Sequence, residues 1–450
     1  MSSRLLGAVS LSFTLLMTAC SKKGDAPPPP PPPVPGCAAN SAPVNGAFVT
    51  MGTSISLSWS AVSGATGYDV YLGASAATAT VIAANVSGTT YNYLVPVFQS
   101  SQLLYWYVQP KNASGGTVGC SSTASAFTAA IIQPPAPFGY YVVGYFPSYR
   151  SLADVPDVKF RMTNVVVYSF YTVNSAGGLS APSAPTATLT AVRDKARTNS
   201  AKIFLGINDG SGDGKTYFTN MAATSAGRNN FIRQVMNAVR VNDLDGVDMD
   251  WEYPTTANGT DQTFTELMKE LSDSLHRDGR YYLSAAITAG KYAGGNRDAI
   301  RNEIFPYVDM FNVMAYDDFS TSVPYKHHSD YALAQTCLNY WLNTRGMPAS
   351  KCVLGLPAYG RPSGITQTNT VLTYKTILAQ GGNPQYDSAV VTAGGFINYT
   401  IYYNGQYTVK RKAKLAKDIA NGVMLWEKWQ DAADGNSLLK AACDTVERAY

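Results

Sequence analysis

Four carboxylates stand within eight positions of one apolar run, Asp245-Gly246-Val247-Asp248-Met249-Asp250-Trp251-Glu252-Tyr253-Pro254, and this limits the fold more than any other stretch of the chain. Side chains alternate across a strand, so Asp248, Asp250 and Glu252 share one face while Val247, Met249 and Trp251 share the other. Three acids on one face of an otherwise apolar strand are costly to bury unless they converge on a site that uses them. Ionised neighbours repel, more strongly against a low-dielectric wall, so at least one of the three is expected to hold its proton near neutral pH. A protonated acid beside ionised ones is what general acid catalysis needs. Asp245, three residues before Asp248, falls out of the alternation and reads as a structural residue at the strand's entry. A calcium loop has comparable acid spacing but is polar and irregular, and a solvated charge run is not interleaved with Val, Met and Trp.

Composition narrows the possible partners. Lys and Arg total 34 against 30 Asp and Glu, which provides neither a basic stripe for nucleic acid nor a polybasic membrane patch. Aromatic residues make up 12%, with 30 Tyr, a composition suited to stacking rings on a neutral ligand and to β-sheet cores. The three histidines are His276, His327 and His328 and there is no Cys-x-x-Cys, so no metal site and no cofactor is expected. His327 and His328 are adjacent, would point to different sides of a regular element, and read as loop or rim residues.

The N-terminus carries Arg4, an apolar stretch too short to span a membrane, and then Leu16-Met17-Thr18-Ala19-Cys20, which reads as an export signal over 1–19. Its small residue before Cys20 resembles a bacterial lipoprotein processing site, which implies an N-terminal lipid on Cys20 as the only membrane attachment, with simple secretion or a periplasmic location as the alternative. Residues 20–36, with the run Pro27 to Pro33, read as an extended spacer. Beyond Cys20 an odd number of cysteines remains; Cys37 and Cys120 flank one candidate domain and are expected to staple it, while Cys337 and Cys352 read as separate buried thiols.

From 37 to 132, apolar residues alternate in short runs, as in Ile55-Leu57-Trp59, Tyr68-Val70-Leu72 and Leu104-Trp106-Val108, with Gly-, Ser- and Asn-rich turns between them. The spacing predicts a small β-sandwich, and the segments around Trp59, Tyr68 and Trp106 resemble a fibronectin type III domain. After a Pro-rich linker at 133–138, strand-like runs at 140–145, 164–171, 202–207, 245–251, 282–287, 309–316, 352–357 and 422–426 alternate with helical patterns such as Phe264, Leu267, Leu271, Leu275. Eight such units over 139–450 predict an α/β fold of the (β/α)8 TIM barrel type, whose chemistry gathers at the strand C-termini.

With that placement, Asp245-Gly246-x-Asp248-x-Asp250-x-Glu252 resembles the signature of family 18 glycoside hydrolases, the chitinases and their relatives. Val143-Gly144-Tyr145-Phe146-Pro147, Met314-Ala315-Tyr316-Asp317, Gly355-Leu356-Pro357-Ala358-Tyr359-Gly360-Arg361 and Gly422-Val423-Met424-Leu425-Trp426-Glu427 fit in the same order. The resemblance implies a monomeric chitinase acting on chitin or other N-acetylglucosamine-containing glycans by substrate-assisted, retaining hydrolysis. By resemblance Glu252 is the proton donor, Asp250 orients the substrate's acetamido group, and Asp248 shares hydrogen bonds with Asp250. Tyr316, Asp317, Trp426, Tyr145, Met314 and Phe170 are the expected substrate-binding residues, with Trp426 as the floor under the sugar.

Two departures from the family pattern stand out. The third strand usually ends Ser-x-Gly-Gly, but here reads Gly206-Ile207-Asn208-Asp209-Gly210, so Asp248 needs another partner, for which Tyr145 is the first candidate and Asn208 a weaker one; Gly210 and Gly212 still permit a tight turn. Only some 60 residues separate Tyr359 from Gly422, too few for a full inserted α+β subdomain, which predicts a shallower cleft and endo-acting cleavage. The rival readings are an endo-β-N-acetylglucosaminidase cutting N-glycan cores, which uses the same acid, and a sugar-binding protein without catalysis, against which Glu252 argues.

Overall fold

The computed structural model describes residues 30–117, 119–137, 139–211, 216–277 and 279–450. The expected signal, Cys20 and Gly212 lie outside these residues. By contacts the chain forms two units, one taking 46–55, 94–103 and 127–450, the other taking 56–93, 104–126 and the segment up to Asn45.

In the smaller unit, strand Gly67–Gly73 runs antiparallel to Gln102–Asn112 on one side and to Thr80–Val86 on the other. The expected alternation is present: Leu57, Trp59, Tyr68, Val70, Trp106 and Val108 are buried. Trp59 and Tyr68 are core residues with ring centroids 5.4 Å apart, and the Tyr68 hydroxyl accepts a hydrogen bond from Val62 N at 2.9 Å. Cys37 and Cys120 form a disulfide, and Cys337, Cys352 and Cys443 are buried thiols.

In the larger unit, eight parallel strands close on themselves: β1 Tyr141–Pro147, β2 Val165–Val173, β3 Lys202–Asp209, β4 Gly246–Asp250, β5 Tyr282–Thr288, β6 Met310–Met314, β7 Cys352–Pro357 and β8 Gly422–Trp426. Each pairs with its sequence neighbours, and β8 pairs with β1 through Tyr141↔Gly422 to Gly144↔Leu425. This is the (β/α)8 barrel that the strand count predicts. Strands rich in β-branched residues, such as Val165-Val166-Val167, are buried on both faces, as a parallel barrel requires. Alternation sorts them: Val143, Tyr145, Val165, Val167, Phe204, Met314 and Met424 fill the barrel interior, whereas Val142, Phe146, Val166, Tyr168, Val247, Met249 and Trp251 pack outward with the helices.

The helices follow from their apolar stripes. Thr260–Leu275 buries Phe264, Leu267, Met268, Leu271 and Leu275 at helical spacing, and Ser225–Val241 is capped by Thr224, whose side chain accepts from Gly227 N. Among the described residues no helix is long and apolar enough to cross a membrane.

Between β7 and β8 the chain is more structured than its length suggests. It forms a short helix Tyr374–Ala379, a hairpin of Ser388–Ala393 with Phe396–Tyr402, and the barrel helix Gln406–Ile419. Asp387 fixes the entry of that helix: Oδ1 accepts from Gly405 N at 2.8 Å and Oδ2 from Thr408 Oγ1 at 2.6 Å.

Gly355 on β7 has no room for a side chain. A Cβ there would lie 2.5 Å from the Val313 carbonyl oxygen and 2.9 Å from the Tyr316 ring. Gly355→Ala is therefore expected to cost about 1–3 kcal/mol through overpacking, read as a lowered denaturation midpoint at unchanged m-value.

Candidate active site

The strand that carries the acids ends at Asp250, earlier than the expected 251, so Glu252 stands just beyond it. Trp251 turns outward, stacked on Phe218 at 4.9 Å and edge-on to Phe264, and this anchors the strand end while its neighbours face the barrel mouth. Asp245 is structural, as expected at the strand's entry: its Oδ2 accepts from Ile203 N at 2.9 Å.

At the mouth lies a cavity of about 350 Å³ lined by Tyr145, Phe170, Asn208, Asp250, Glu252, Tyr253, Ala286, Met314, Tyr316, Asp317, Tyr359 and Trp426. Eight of the nine expected site residues line it. The exception is Asp248, and it corrects the picture of three acids converging on one pocket. Asp248 is wholly buried beneath the cavity floor, because the barrel narrows below its rim and side chains one layer down are enclosed on all sides.

Its partners come from three strands. Tyr145 Oη donates to Asp248 Oδ2 at 2.6 Å, Ser284 Oγ to Oδ1 at 2.5 Å, and Asn312 Nδ2 to Oδ1 at 3.1 Å. Tyr145 is the partner that sequence reasoning favoured; Ser284 and Asn312 were missed, and Asn208 lines the cavity instead. The donor that the resemblance places on the third strand is supplied here by Ser284, which sits on β5 in register with Asp248. Burial pushes the Asp248 carboxyl above the usual carboxylate range, and the hydrogen bonds from Ser284, Tyr145 and Asn312 hold it back part of the way. The rise falls on Asp248, the one of the three acids that does not line the cavity.

Hydroxyls around the acids stay protonated. Burial, with the charges of Asp248 and Asp250 behind it, drives the Tyr145 hydroxyl well above its ordinary value. Burial does the same for Tyr316, reinforced by Glu252 and Asp250, and for Tyr253, whose hydroxyl is hydrogen-bonded to Glu252. These phenols are hydrogen-bond donors at any physiological pH. The aromatic wall is contiguous: Phe170 stacks on Trp426 at 5.8 Å, and Tyr145 is tilted against Trp426 at 5.3 Å. Non-proline cis peptides at Ser169-Phe170, Glu252-Tyr253 and Trp426-Glu427 each adjoin a lining residue.

Asp317 follows the end of β6, its side chain 45% exposed. Its Oδ1 accepts from Tyr359 Oη at 2.7 Å and from Arg361 Nη1 at 3.0 Å, and lies 3.7 Å from His328 Nδ1. Burial works to raise its carboxyl, but contact with the His328 ring, the hydrogen bond from Tyr359 and the charge of Arg361 outweigh it and hold it low. His328 is not a rim residue: it is wholly buried, and its ring lies parallel to that of His327 rather than on the other side of the chain. His327 Nε2 meets the Tyr403 carbonyl at 2.7 Å, which turns both rings inward under the loop. Tyr359 was legible in its Gly-Leu-Pro-Ala-Tyr-Gly-Arg motif, whereas nothing in the sequence around His328 signalled burial. Gly210 serves a close approach rather than a turn, since a Cβ there would lie 2.5 Å from the Val173 carbonyl oxygen. Among the described residues no group of three or more His, Cys, Asp or Glu is arranged to hold a metal ion.

Because Ser284 stabilises the ionised form of Asp248, Ser284→Ala is expected to raise the carboxyl further and to cost about 2 kcal/mol of stability at pH 8. The penalty should shrink as the pH falls and Asp248 takes up its proton in both proteins. Urea denaturation of the two proteins from pH 4 to pH 8, with a carboxyl-carbon titration of Asp248, checks both the size and the sign.

Comparison with known proteins agrees with this geometry. The chain is 30% identical over 173 residues to mouse chitotriosidase-1, covering 33% of this chain and 36% of that protein, and 30% identical over 228 residues to chitinase C of Streptomyces lividans, covering 43% and 36%. The chain thus spans about a third of the length of these curated relatives. A chitinase from Bacteroides thetaiotaomicron has the same fold, with a TM-score of 0.59 at 23% identity over 69% of this chain and 97% of its own. So does a class V chitinase mutant from Nicotiana tobaccum crystallised in complex with NAG4, at 0.58 and 20% identity over 69% and 100%. The model of glycosyl hydrolases family 18 matches residues 141–431, from the first barrel strand past Trp426, and the chain belongs to that family.

Proposed function

We propose that this protein is a chitinase that hydrolyses β-1,4 linkages between N-acetylglucosamine units by substrate-assisted, retaining catalysis. The observation that carries the reading is the pairing of Asp250 and Glu252 on one side of an aromatic cavity, with Tyr253 and Tyr316 kept as hydroxyl donors beside them. Retaining glycosidases with a protein nucleophile set it across the bond from the acid. Here both carboxylates come from one strand end, and the further lining carboxylate, Asp317, is engaged by Tyr359 and Arg361. In line with the substrate-assisted chemistry of family 18, the proposed nucleophile is the substrate's own acetamido carbonyl.

In this mechanism Glu252 protonates the glycosidic oxygen while the acetamido carbonyl oxygen attacks C1, and the C1–oxygen bond to the leaving sugar breaks. Asp250 takes the acetamido N–H and balances the positive charge of the oxazolinium intermediate. The Tyr316 hydroxyl donates to the acetamido oxygen, and Asp248 holds the base of the acid pair. Water, deprotonated by Glu252, then opens the intermediate with overall retention. Trp426, stacked with Phe170, carries the sugar face. Endo cleavage is part of the same proposal: the segment between β7 and β8 holds a short helix, one hairpin and the barrel helix rather than a full inserted subdomain, which supports a shallow cleft. The tobacco relative crystallised with NAG4 supports an N-acetylglucosamine oligomer as the ligand.

The same proposal includes export through the N-terminal signal with lipidation at Cys20, a fibronectin type III character for the smaller unit, and a monomeric enzyme held off a membrane by the Pro-rich spacer.

Digestion of N-acetylglucosamine oligomers and, separately, of an N-glycoprotein, with products identified by mass, tests the reading. Cleavage of the oligomers at internal bonds is expected; cleavage of the glycoprotein alone would transfer the chain to the endo-β-N-acetylglucosaminidases, and no cleavage of either would remove the enzymatic reading. Glu252→Gln is expected to lower kcat by at least about a thousandfold while oligomer binding persists, measured by calorimetry.

A further inference from the structure

β3 ends in Asn208-Asp209, and the strand period of two sends these side chains to opposite faces. Asp209 turns away from the cavity: its Oδ1 accepts from Ser211 N at 2.7 Å and its Oδ2 from Phe218 N at 2.8 Å, which ties the loop to helix Thr216–Ala222. Asn208 turns inward and lines the cavity, with Thr172 of β2 and Asp250 of β4 as its register partners. Its Oδ1 is buried and accepts no hydrogen bond from any described residue. An unsatisfied buried carbonyl costs about 1–3 kcal/mol, and a folded chain retains one where a ligand supplies the missing donor. Neighbouring hydroxyls on the wall are already committed, Tyr145 to Asp248, Tyr359 to Asp317 and Tyr253 to Glu252.

The chemistry of the missing partner follows from the setting. An amide oxygen beside the Asp250 carboxylate repels an anionic substituent and calls for a donor. With the acetamido N–H taken by Asp250, the donor left on an N-acetylhexosamine is a sugar hydroxyl. Turned either way the Asn208 amide offers an acceptor and a donor, so a hydroxyl can be engaged on both its proton and its lone pair.

We propose that Asn208 is a specificity-determining residue that hydrogen-bonds a hydroxyl of the N-acetylhexosamine bound in the cavity and so selects sugars unsubstituted at that hydroxyl. The assignment rests on the cavity being an N-acetylglucosamine site. A full-length Glu252→Gln protein and the Glu252→Gln/Asn208→Ala double variant are titrated calorimetrically with N-acetylglucosamine tetramer and with its 3-deoxy and 6-deoxy analogues, and their thermal midpoints are compared. The double variant is expected to bind the tetramer about tenfold more weakly with an unchanged or higher midpoint, since it loses an acceptor that the folded protein alone leaves unsatisfied. With the analogue lacking the partner hydroxyl the two proteins should bind equally. Affinities within twofold for the tetramer, an equal loss with every analogue, or a lowered midpoint marking a structural role would each overturn the assignment. Turnover by the unmodified enzyme is scored separately. Absent turnover with the tenfold difference in binding overturns the chitinase reading and leaves Asn208 in place; no tetramer binding by the Glu252→Gln protein overturns both.

Discussion

A carboxylate sealed inside the barrel sets the terms for everything above it. Asp248 has no access to water, so its charge must be met by protein donors, and Tyr145 from β1, Ser284 from β5 and Asn312 from β6 meet it. A buried acid with one partner removed costs about 2 kcal/mol, which makes this layer intolerant of register slips. A slip of one residue in β5 would bring Leu283 or Ala285 to the position of Ser284 and leave Asp248 Oδ1 short of a donor. The same acid accounts for why a strand of the barrel interior keeps Tyr145 where Val143 is its inward neighbour: the phenol alone is long enough to present a donor and apolar enough to pack beside Phe170 and Trp426.

Above that layer the faces divide the work. Outward, Val247, Met249 and Trp251 merge with the helix stripes into one apolar layer, and the stack of Trp251 on Phe218 fixes where β4 stops. Inward, Asp250 and then Glu252 emerge at the mouth among neutral phenols. This arrangement puts acids of different environment within one site, which is how two carboxylates come to hold different roles at one pH. Asp317 is treated differently again. Arg361 and Tyr359 hold its carboxyl low, so it stands as an anion at the edge of the cavity.

The residues differ in how readable they were. Asp248, Asp250, Glu252, Tyr316 and Asp317 stand in compact motifs whose order along the chain matches the strand order. Tyr145 was recoverable as the partner of Asp248 because its motif places a phenol on the inward face of β1. Ser284 and Asn312 were not, since a lone Ser or Asn within an apolar strand looks the same whether it faces a carboxylate or a backbone carbonyl, and only closure of the sheet brings β5 and β6 alongside β4. Adjacency alone predicts that His327 and His328 point to different sides and sit in a loop or at a rim; they do lie in a loop, but the Tyr403 carbonyl that holds His327 lies 76 residues away and His328 is buried. The hairpin between β7 and β8 escaped notice because its exposed face carries Val390 and Ile397, which blur the alternation that marks a strand.

Local chemistry established the class of fold and the strand that bears the acids, and the order of the motifs named Glu252 as the candidate proton donor, because periodicity and motif spacing are properties of neighbours along the chain. The depth of each acid below the rim, the three donors around Asp248, the inward turn of His328 and the unsatisfied Asn208 amide are properties of neighbours in space. They depend on the registers of parallel strands joined through long helical crossovers, and those registers exist only once the barrel has closed.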